Sequence, residues 1–181
     1  MRAFGEYSLK NTHLTPFYAL LIFFLLSFPT LSLAGQFKIT RVYDGDTVKA
    51  QGNDIEIIVR LVGIDAPETS RKKRDTGQPY SQKAKKYLAS LVLNKTVDIK
   101  GYGLDRYNRI LGVIYLNKQN INLEMIKTGL AEVYRGKPAR EFDTEPYLEA
   151  EKRAREAKTG MWSLGDKYIS PKHWRKIQKG E

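Results

Sequence analysis

Residues 37–61 read FKITRVYDGDTVKAQGNDIEIIVRL, and the pattern predicts three consecutive β-strands. Apolar and polar residues alternate through most of this stretch, most regularly from Ile55 to Leu61, which is the spacing of a strand with one buried face. Asp44-Gly45 and Gly52-Asn53-Asp54 interrupt the alternation with residues that favour tight turns. Three strands joined by such short turns form an antiparallel meander.

The chain beyond these strands predicts helices and two more strands. The expected elements are a helix at 78–93, a strand around 97–99, a strand at 110–115, a short helix at 122–128 capped by Asn122, and a helix at 146–158. Five short strands with one helix between the third and the fourth is the order of an OB-fold barrel. We therefore expect an α+β protein built as a five-stranded OB-fold barrel with three helices.

The charge balance indicates a polyanionic partner. Lys and Arg number 31 against 20 Asp and Glu, which gives a formal net charge of +11. A folded domain with this basic excess is typical of proteins that bind nucleic acid or an anionic membrane, although basic charge also serves solubility alone.

The side chains available for chemistry are limited. Cysteine is absent, which excludes disulfides, thiolate zinc sites and cysteine nucleophiles. The only two histidines, His13 and His173, lie near opposite ends of the sequence, so a Ser-His-Asp triad or a two-histidine zinc site is hard to assemble. Any chemistry must rest on carboxylates, arginines, lysines and tyrosines.

Residues 1–34 have the layout of a secretory signal. Basic residues precede an uncharged apolar run at 17–28, and Ser32-Leu33-Ala34 offers the small residues that a signal peptidase needs. The run is shorter than the roughly 20 residues that span a bilayer, although an uncleaved anchor that keeps the protein on the membrane is the alternative. We expect a secreted or periplasmic protein with a signal at 1–34, a domain at 35–165 and a basic tail at 166–181.

Charged residues concentrate in three short segments at turns and strand ends. The segments are Asp44-Gly45-Asp46-Thr47, Arg60 with the following Gly63–Thr69, and Asp105–Arg109. Each one alone has a structural explanation, as a hairpin turn, a braced loop or a solvated surface charge. Together, however, Asp46, Asp65 and the backbone carbonyl of Ala66 can supply the oxygen ligands that a hard divalent cation needs.

The same segments carry groups suited to a phosphodiester. Arg60 and Arg109 can hold phosphate charge bidentately, as lysine cannot. Glu68 remains to orient or deprotonate an attacking water. Carboxylates, two arginines and a metal make a hydrolase site without histidine or cysteine.

These motifs resemble the staphylococcal nuclease (thermonuclease) family. The resemblance runs in order through residues 36–164 and rests on Asp44-Gly-Asp-Thr-Val48, Arg60-Leu-Val-Gly-Ile-Asp-Ala-Pro-Glu-Thr69, Asp105-Arg-Tyr-Asn-Arg109 and Gly160-Met-Trp-Ser163. It implies an OB-fold barrel and calcium-dependent hydrolysis of DNA and RNA with little sequence preference. The products would end in 3′-phosphate, through cleavage between phosphorus and the 5′ oxygen.

The resemblance also implies a role for each site residue. Asp46, Asp65 and the carbonyl of Ala66 match the Ca²⁺ ligands. Asp44 matches a nearby carboxylate that supports the metal indirectly, through a bound water or by a contact with one of the ligands. The remaining matches are the phosphate-binding Arg60 and Arg109, the general base Glu68, and the substrate-binding Arg106, Tyr107 and Tyr134. The glutamate either deprotonates the water or mainly organises it. No protein partner is implied, and we expect a monomer.

The sequence departs from the best-known member of this family in two places. Ala66 stands where that member has threonine, which matters little for a backbone ligand. Near Tyr134 only one aromatic residue is clearly placed where that member has a pair, so base stacking, about 1–3 kcal/mol per base, is expected to be weaker or differently arranged. The Arg71–Arg74 run is either a solvated mobile loop or an additional contact to the phosphate backbone.

Two other classes of function fit parts of the sequence. A binding module of this fold would hold nucleic acid or protein without cutting it, but such a module is expected to lose a metal carboxylate or an arginine from the site. A basic adhesin or envelope protein tethered by its N-terminus would leave the clustered carboxylates and arginines unexplained.

Overall fold

A computed structural model describes residues 36–70 and 77–180, in which the strands form one sheet of six strands and a separate sheet of two short strands. The strands are β1 (Gln36–Val42), β2 (Thr47–Gln51), β3 (Glu56–Leu61), β4 (Ile64–Asp65), β5 (Thr96–Leu104), β6 (Ile110–Leu116), β7 (Gln119–Asn120) and β8 (Glu132–Val133). The first three strands pair antiparallel in sequence order, which confirms the predicted meander.

Pairing between distant strands closes the barrel. Strand β1 also pairs with β5, and β5 pairs with β6, both antiparallel. Strand β6 then pairs in parallel with β3, with Val59 opposite Ile110 and Leu61 opposite Gly112. The five longer strands therefore form a closed ring, and the predicted OB-fold barrel is confirmed.

The core fills the barrel and the space beneath the helix that follows it. Inward-facing residues of the meander such as Ile39, Val48 and Val59 are completely buried. Helix α1 (Ser81–Val92) adds Ala84, Leu88 and Val92, which lie at intervals of four and therefore on one face. Burial of this apolar face fixes α1 against the barrel.

Three more α-helices follow α1 in the described part of the chain, one more than the sequence predicted. They are α2 (Ile121–Lys127), α3 (Glu145–Glu156) and α4 (Pro171–Lys179), and a 3₁₀ segment (Gly160–Lys167) precedes the last of them. Helix α4 escapes a prediction from apolar periodicity because Pro171 is its only buried residue. Its start is nevertheless typical, with Ser170 as the N-cap and proline in the first position.

The predicted cap of the short helix is wrong by two residues. Asn120 caps α2, and its side chain accepts a hydrogen bond from the amide of Leu123 at 3.0 Å. Asn122 is instead fully buried. Both asparagines have the right residue type, and the apolar pattern does not fix the helix start to one position.

Asn122 ties α2 to the place where the barrel closes. Its Oδ1 accepts from the amide of Ile114 at 3.1 Å, and its Nδ2 donates to the carbonyls of Val62 and Gly112, both at 3.0 Å. These partners lie in β6 and directly after β3, the two strands that pair in parallel. The side chain therefore satisfies backbone groups that the closure of the barrel leaves buried.

Two predictions lie outside the described residues, namely the signal at 1–34 and the role of the Arg71–Arg74 run. Within the described ranges, no helix is both long and apolar enough to cross a membrane.

Replacing Asn122 tests its bridging role. Asn122→Ala should lower the free energy of unfolding by about 2–4 kcal/mol, because the amide of Ile114 and the carbonyl of Val62 lose this partner in a buried place, while the carbonyl of Gly112 keeps the amide of Val62. Urea denaturation followed by circular dichroism measures this. Asn53→Ala, at an exposed turn, is the control and should change stability by less than about 0.5 kcal/mol. Equal stability of the two variants would contradict the bridge.

Candidate functional site

Two buried carboxylates share one guanidinium at the end of the barrel. Asp46 lies just before β2 and Asp65 lies in β4, and they are only 3% and 2% exposed. Arg60 in β3 donates through Nη1 to Oδ1 of Asp46 and through Nη2 to Oδ1 of Asp65, the latter at 2.9 Å. Asp46 also accepts from the hydroxyl of Thr47 at 3.0 Å and from the amide of Ala66 at 2.9 Å. Every oxygen of Asp46 is thus held by a donor.

The turn before β2 holds its carboxylates close to β4. Asp44 accepts from the amide of Asp46 at 3.1 Å, which shapes the turn. A Cβ atom at Gly45 would lie 2.7 Å from the Cβ of Ala66 and 2.8 Å from that of Ala84. Only glycine lets the turn pack this closely against the chain after β4 and against α1.

The site concentrates negative charge in a place shielded from water. Burial raises the pKa of Asp46 to about 7, with the neighbouring carboxylates adding to the rise and Arg60 opposing it. Burial also raises the pKa of Glu68, and a hydrogen bond from Arg175 opposes this rise. Both carboxylates therefore gain from a nearby cation.

The oxygen donors here fit a hard divalent cation such as Ca²⁺. Asp46 and Asp65 are buried carboxylates close to a common cationic group, and hard cations prefer such ligands. In the described part of the chain, no three acidic or histidine side chains are grouped so that they could hold a metal by themselves. A cation would therefore need backbone or water ligands as well.

The second predicted arginine is held by an aspartate of its own segment. Arg109 Nε donates to Oδ2 of Asp105 at 2.7 Å, and Nη2 lies 2.6 Å from the same oxygen. Oδ1 of Asp105 accepts from the amides of Tyr107 and Arg109 at 2.8 and 3.0 Å. Asp105 thereby fixes both the loop and the guanidinium, a positioning role that sequence reasoning did not assign.

An open groove of about 960 Å³ gathers most of the predicted residues. Those that line it are Asp44, Arg60, Glu68, Arg106, Tyr107, Arg109 and Tyr134. Asp46, Asp65 and Ala66 are buried behind this lining. The parallel pairing of β3 with β6 accounts for the groove, because it brings the strand that carries Arg60 beside the strand that follows Arg109.

Two tyrosines present their rings to solvent along the groove. Tyr107 is 64% exposed, and the guanidiniums of Arg106 and Arg109 lie 4.9 and 5.4 Å from its ring centre. Tyr134 is 45% exposed, and its amide donates to the carbonyl of Gly63 at 3.0 Å. Exposed aromatic rings beside arginines are typical of surfaces on which nucleic-acid bases stack.

Sequence reasoning missed a third arginine, Arg175 of α4. Its Nη1 and Nη2 donate to Oδ1 and Oδ2 of Asp65 at 3.0 and 2.7 Å, and Nη1 also donates to Glu68 at 2.5 Å. The sequence predicts a basic tail over residues 166–181 and gives Arg175 no role at the site. The Ser170-Pro171 helix start was the available signal, but nothing in one sequence places Arg175 beside a residue 110 positions away.

Gln78 was missed as well. Its Oε1 accepts from the amide of Glu68 at 3.0 Å, and its Nε2 donates to the carbonyl of Ile169 at 2.7 Å. The buried amide thus connects the backbone of the predicted general base to the segment that leads into α4.

Comparison with known proteins gives consistent matches. Residues 58–164 match the family model described as "Staphylococcal nuclease homologue". A protein of Haemophilus influenzae named an uncharacterized endonuclease is 40% identical over 167 residues, 88% of this chain and 86% of the relative. An Escherichia coli protein with the same name is 36% identical over 160 residues, 87% of this chain and 96% of the relative. The "Probable endonuclease LCL3" of Komagataella phaffii is 36% identical over 129 residues, which cover 68% of this chain and 56% of that protein.

The shared guanidinium makes a prediction about stability. Arg60→Ala should lower the free energy of unfolding by about 3 kcal/mol in the presence of a chelator, because it leaves buried carboxylate charge unpaired. Urea denaturation at neutral pH measures the change. Arg41→Ala removes an exposed arginine of β1 and is the matched control, with a change of at most about 1 kcal/mol from the loss of its contact with the ring of Tyr43. If Arg60→Ala is as stable as the control, the buried ion pairs do not hold the site together.

Proposed function

Because this chain belongs to the staphylococcal nuclease family, we propose that it is a calcium-dependent endonuclease which hydrolyses DNA and RNA with little sequence preference and leaves 3′-phosphate ends. The observation that carries the proposal is the position of Arg60 and Arg109 along one groove, beside the buried Asp46 and Asp65. Family membership supports the nuclease activity itself, and the motifs support its details.

The arginines would bind the scissile phosphate. Arg60 and Arg109 present two guanidiniums from the adjoining β3 and β6 side of the groove, where a phosphate can be held from two directions. Their positive charge favours the transition state, because charge on the equatorial oxygens grows as the attacking oxygen adds to phosphorus. Asp105 keeps Arg109 in place without additional reorganisation when the substrate arrives.

Glu68 would act on the attacking water. Its pKa is raised by burial, which makes the carboxylate a better proton acceptor than a solvated glutamate. The water oxygen bonds to phosphorus and gives a proton to Glu68, the bond to the 5′ oxygen breaks, and the leaving oxygen takes a proton from solvent to become a hydroxyl. Asp46, Asp65 and the carbonyl of Ala66 would hold calcium, which would supply further positive charge to the site.

The rest of the groove would bind the substrate without reading its sequence. Tyr107 and Tyr134 offer ring faces that accept any base, and Arg106 offers a cation for a neighbouring phosphate. Stacking and phosphate contacts carry little sequence information, which fits an enzyme that cuts many sequences.

The first test is digestion of single-stranded DNA by the purified protein, with calcium and then with chelator. We expect cleavage only with calcium, and fragments that a polymerase extends only after phosphatase treatment, because a 3′-phosphate blocks extension. Parallel digestion of RNA tests the second substrate. Tight binding without cleavage under any divalent cation would replace the proposal with a binding module.

The role of Glu68 is tested by a variant that keeps its shape. Glu68→Gln should lower kcat by about 100-fold or more while substrate affinity changes by less than about threefold, because the amide cannot accept a proton from water. Single-turnover cleavage and fluorescence anisotropy measure the two quantities. Glu56→Gln, at an exposed position of β3, is the control and should leave both unchanged. Equal losses of cleavage and binding would contradict the proposed role.

A further inference from the structure

The C-terminal arm, residues 168–179, is held to the domain at its N-terminal end and is solvent-accessible over most of its length. The hydroxyl of Tyr168 donates to Glu132, and its ring centre lies 4.6 Å from that of Trp162. Gln78 holds the carbonyl of Ile169, and Pro171 is buried. Beyond Pro171 every residue of α4 is half-buried or exposed. Residues 168–171 are therefore fixed to the domain, whereas few apolar contacts hold residues 172–179 in place.

Arg175 is the group that joins the far part of this arm to the site. It forms a bidentate pair with Asp65 and a further hydrogen bond with Glu68, although it is itself 37% exposed. With Arg60, it occupies both oxygens of Asp65. The arm thus brings a third cation to carboxylates that are proposed to hold calcium and to act on water.

A divalent cation and Arg175 cannot bind the same lone pairs of the Asp65 carboxylate at the same time. Calcium lies about 2.3–2.6 Å from its carboxylate oxygens, whereas the nitrogens of Arg175 hydrogen-bond those oxygens at 2.7 and 3.0 Å. A metal ion bound to the same lone pairs would be close to a guanidinium of like charge. Each cation therefore lowers the affinity of Asp65 for the other.

We propose that Arg175 is an internal counter-ion that competes with the divalent cation for Asp65 and Glu68, so that metal binding releases the C-terminal arm. The inference rests on the proposed calcium site. It concerns the contacts of Arg175 with Asp65 and Glu68, the two carboxylates that the proposed site uses. Linkage requires that a contact which weakens metal binding is itself weakened by the metal to the same extent.

Release should also change the helix itself. Helix α4 has nine residues, and isolated helices of this length are marginal in water. Its backbone amides are therefore protected from hydrogen exchange mainly while Arg175 holds it to the site. Metal binding should convert α4 from a protected segment into a rapidly exchanging one.

The test compares calcium affinity in the full chain, in Arg175→Gln and in Lys176→Gln, by isothermal titration calorimetry without nucleic acid. Lys176 is an exposed neighbour in α4, and its replacement removes the same charge. We expect Arg175→Gln to bind calcium about tenfold more tightly than the wild type, and Lys176→Gln to match the wild type. Arg175→Lys keeps the charge but lacks the bidentate fork, so its affinity should lie between those of the wild type and Arg175→Gln.

Hydrogen exchange of residues 171–179, measured by mass spectrometry, gives a second readout that does not depend on activity. Calcium should speed exchange there in the wild type, and exchange in Arg175→Gln should already be fast without calcium. Equal or weaker calcium affinity in Arg175→Gln, or exchange of α4 unaffected by calcium, would overturn the competition and leave the nuclease proposal standing. Absence of calcium binding in every variant would instead contradict the proposed metal site.

Discussion

Arg60 lies between two buried carboxylates, and the organisation of the site follows from that arrangement. It requires β2 and β3 to pair in the register that puts Thr47 opposite Arg60, and it requires the β4 segment to turn back beside them. Strand β3, which carries Arg60, also closes the barrel by pairing with β6, and this pairing brings the Arg109 loop to the groove. Fold and site therefore depend on the same backbone pairings.

Arg60 and Arg175 offset only part of the negative charge of the site. Arg60 is shared between Asp46 and Asp65 in the folded protein, while a phosphate-binding role requires part of the same guanidinium. A bound cation would relieve that conflict by taking over the carboxylates. Arg175 also offsets the negative charge of Asp65, but it comes from α4, a helix outside the barrel that has few apolar contacts. The affinity of such a site for metal depends on its internal cations as much as on its ligands.

The sequence predicted elements that depend on neighbouring residues, and it did not predict contacts between residues far apart in the chain. The five longer strands, the turns between the first three of them, and α1 follow from periodicity over a few residues, and the barrel follows from the order of those elements, whereas the two-residue strands β4, β7 and β8 are too short to show a pattern. Asn120 and Asn122 are both suitable caps, so residue type alone did not separate the true cap from the buried bridge. Most predicted site residues lie on the groove because their motifs sit at strand ends. Arg175 and Gln78 act through contacts across the fold, which no local pattern contains.

The parallel pairing of β3 with β6 has a consequence for the cell that makes this nuclease. Val59 and Ile110 meet across the closing seam although about fifty residues separate them in the chain, and contacts of such long range form slowly. Arg60 and Arg109 come to one groove only through that seam. Under the proposed function, a chain whose β3 and β6 have not yet paired has no assembled phosphate site with which to cut the nucleic acids of the cell that makes it.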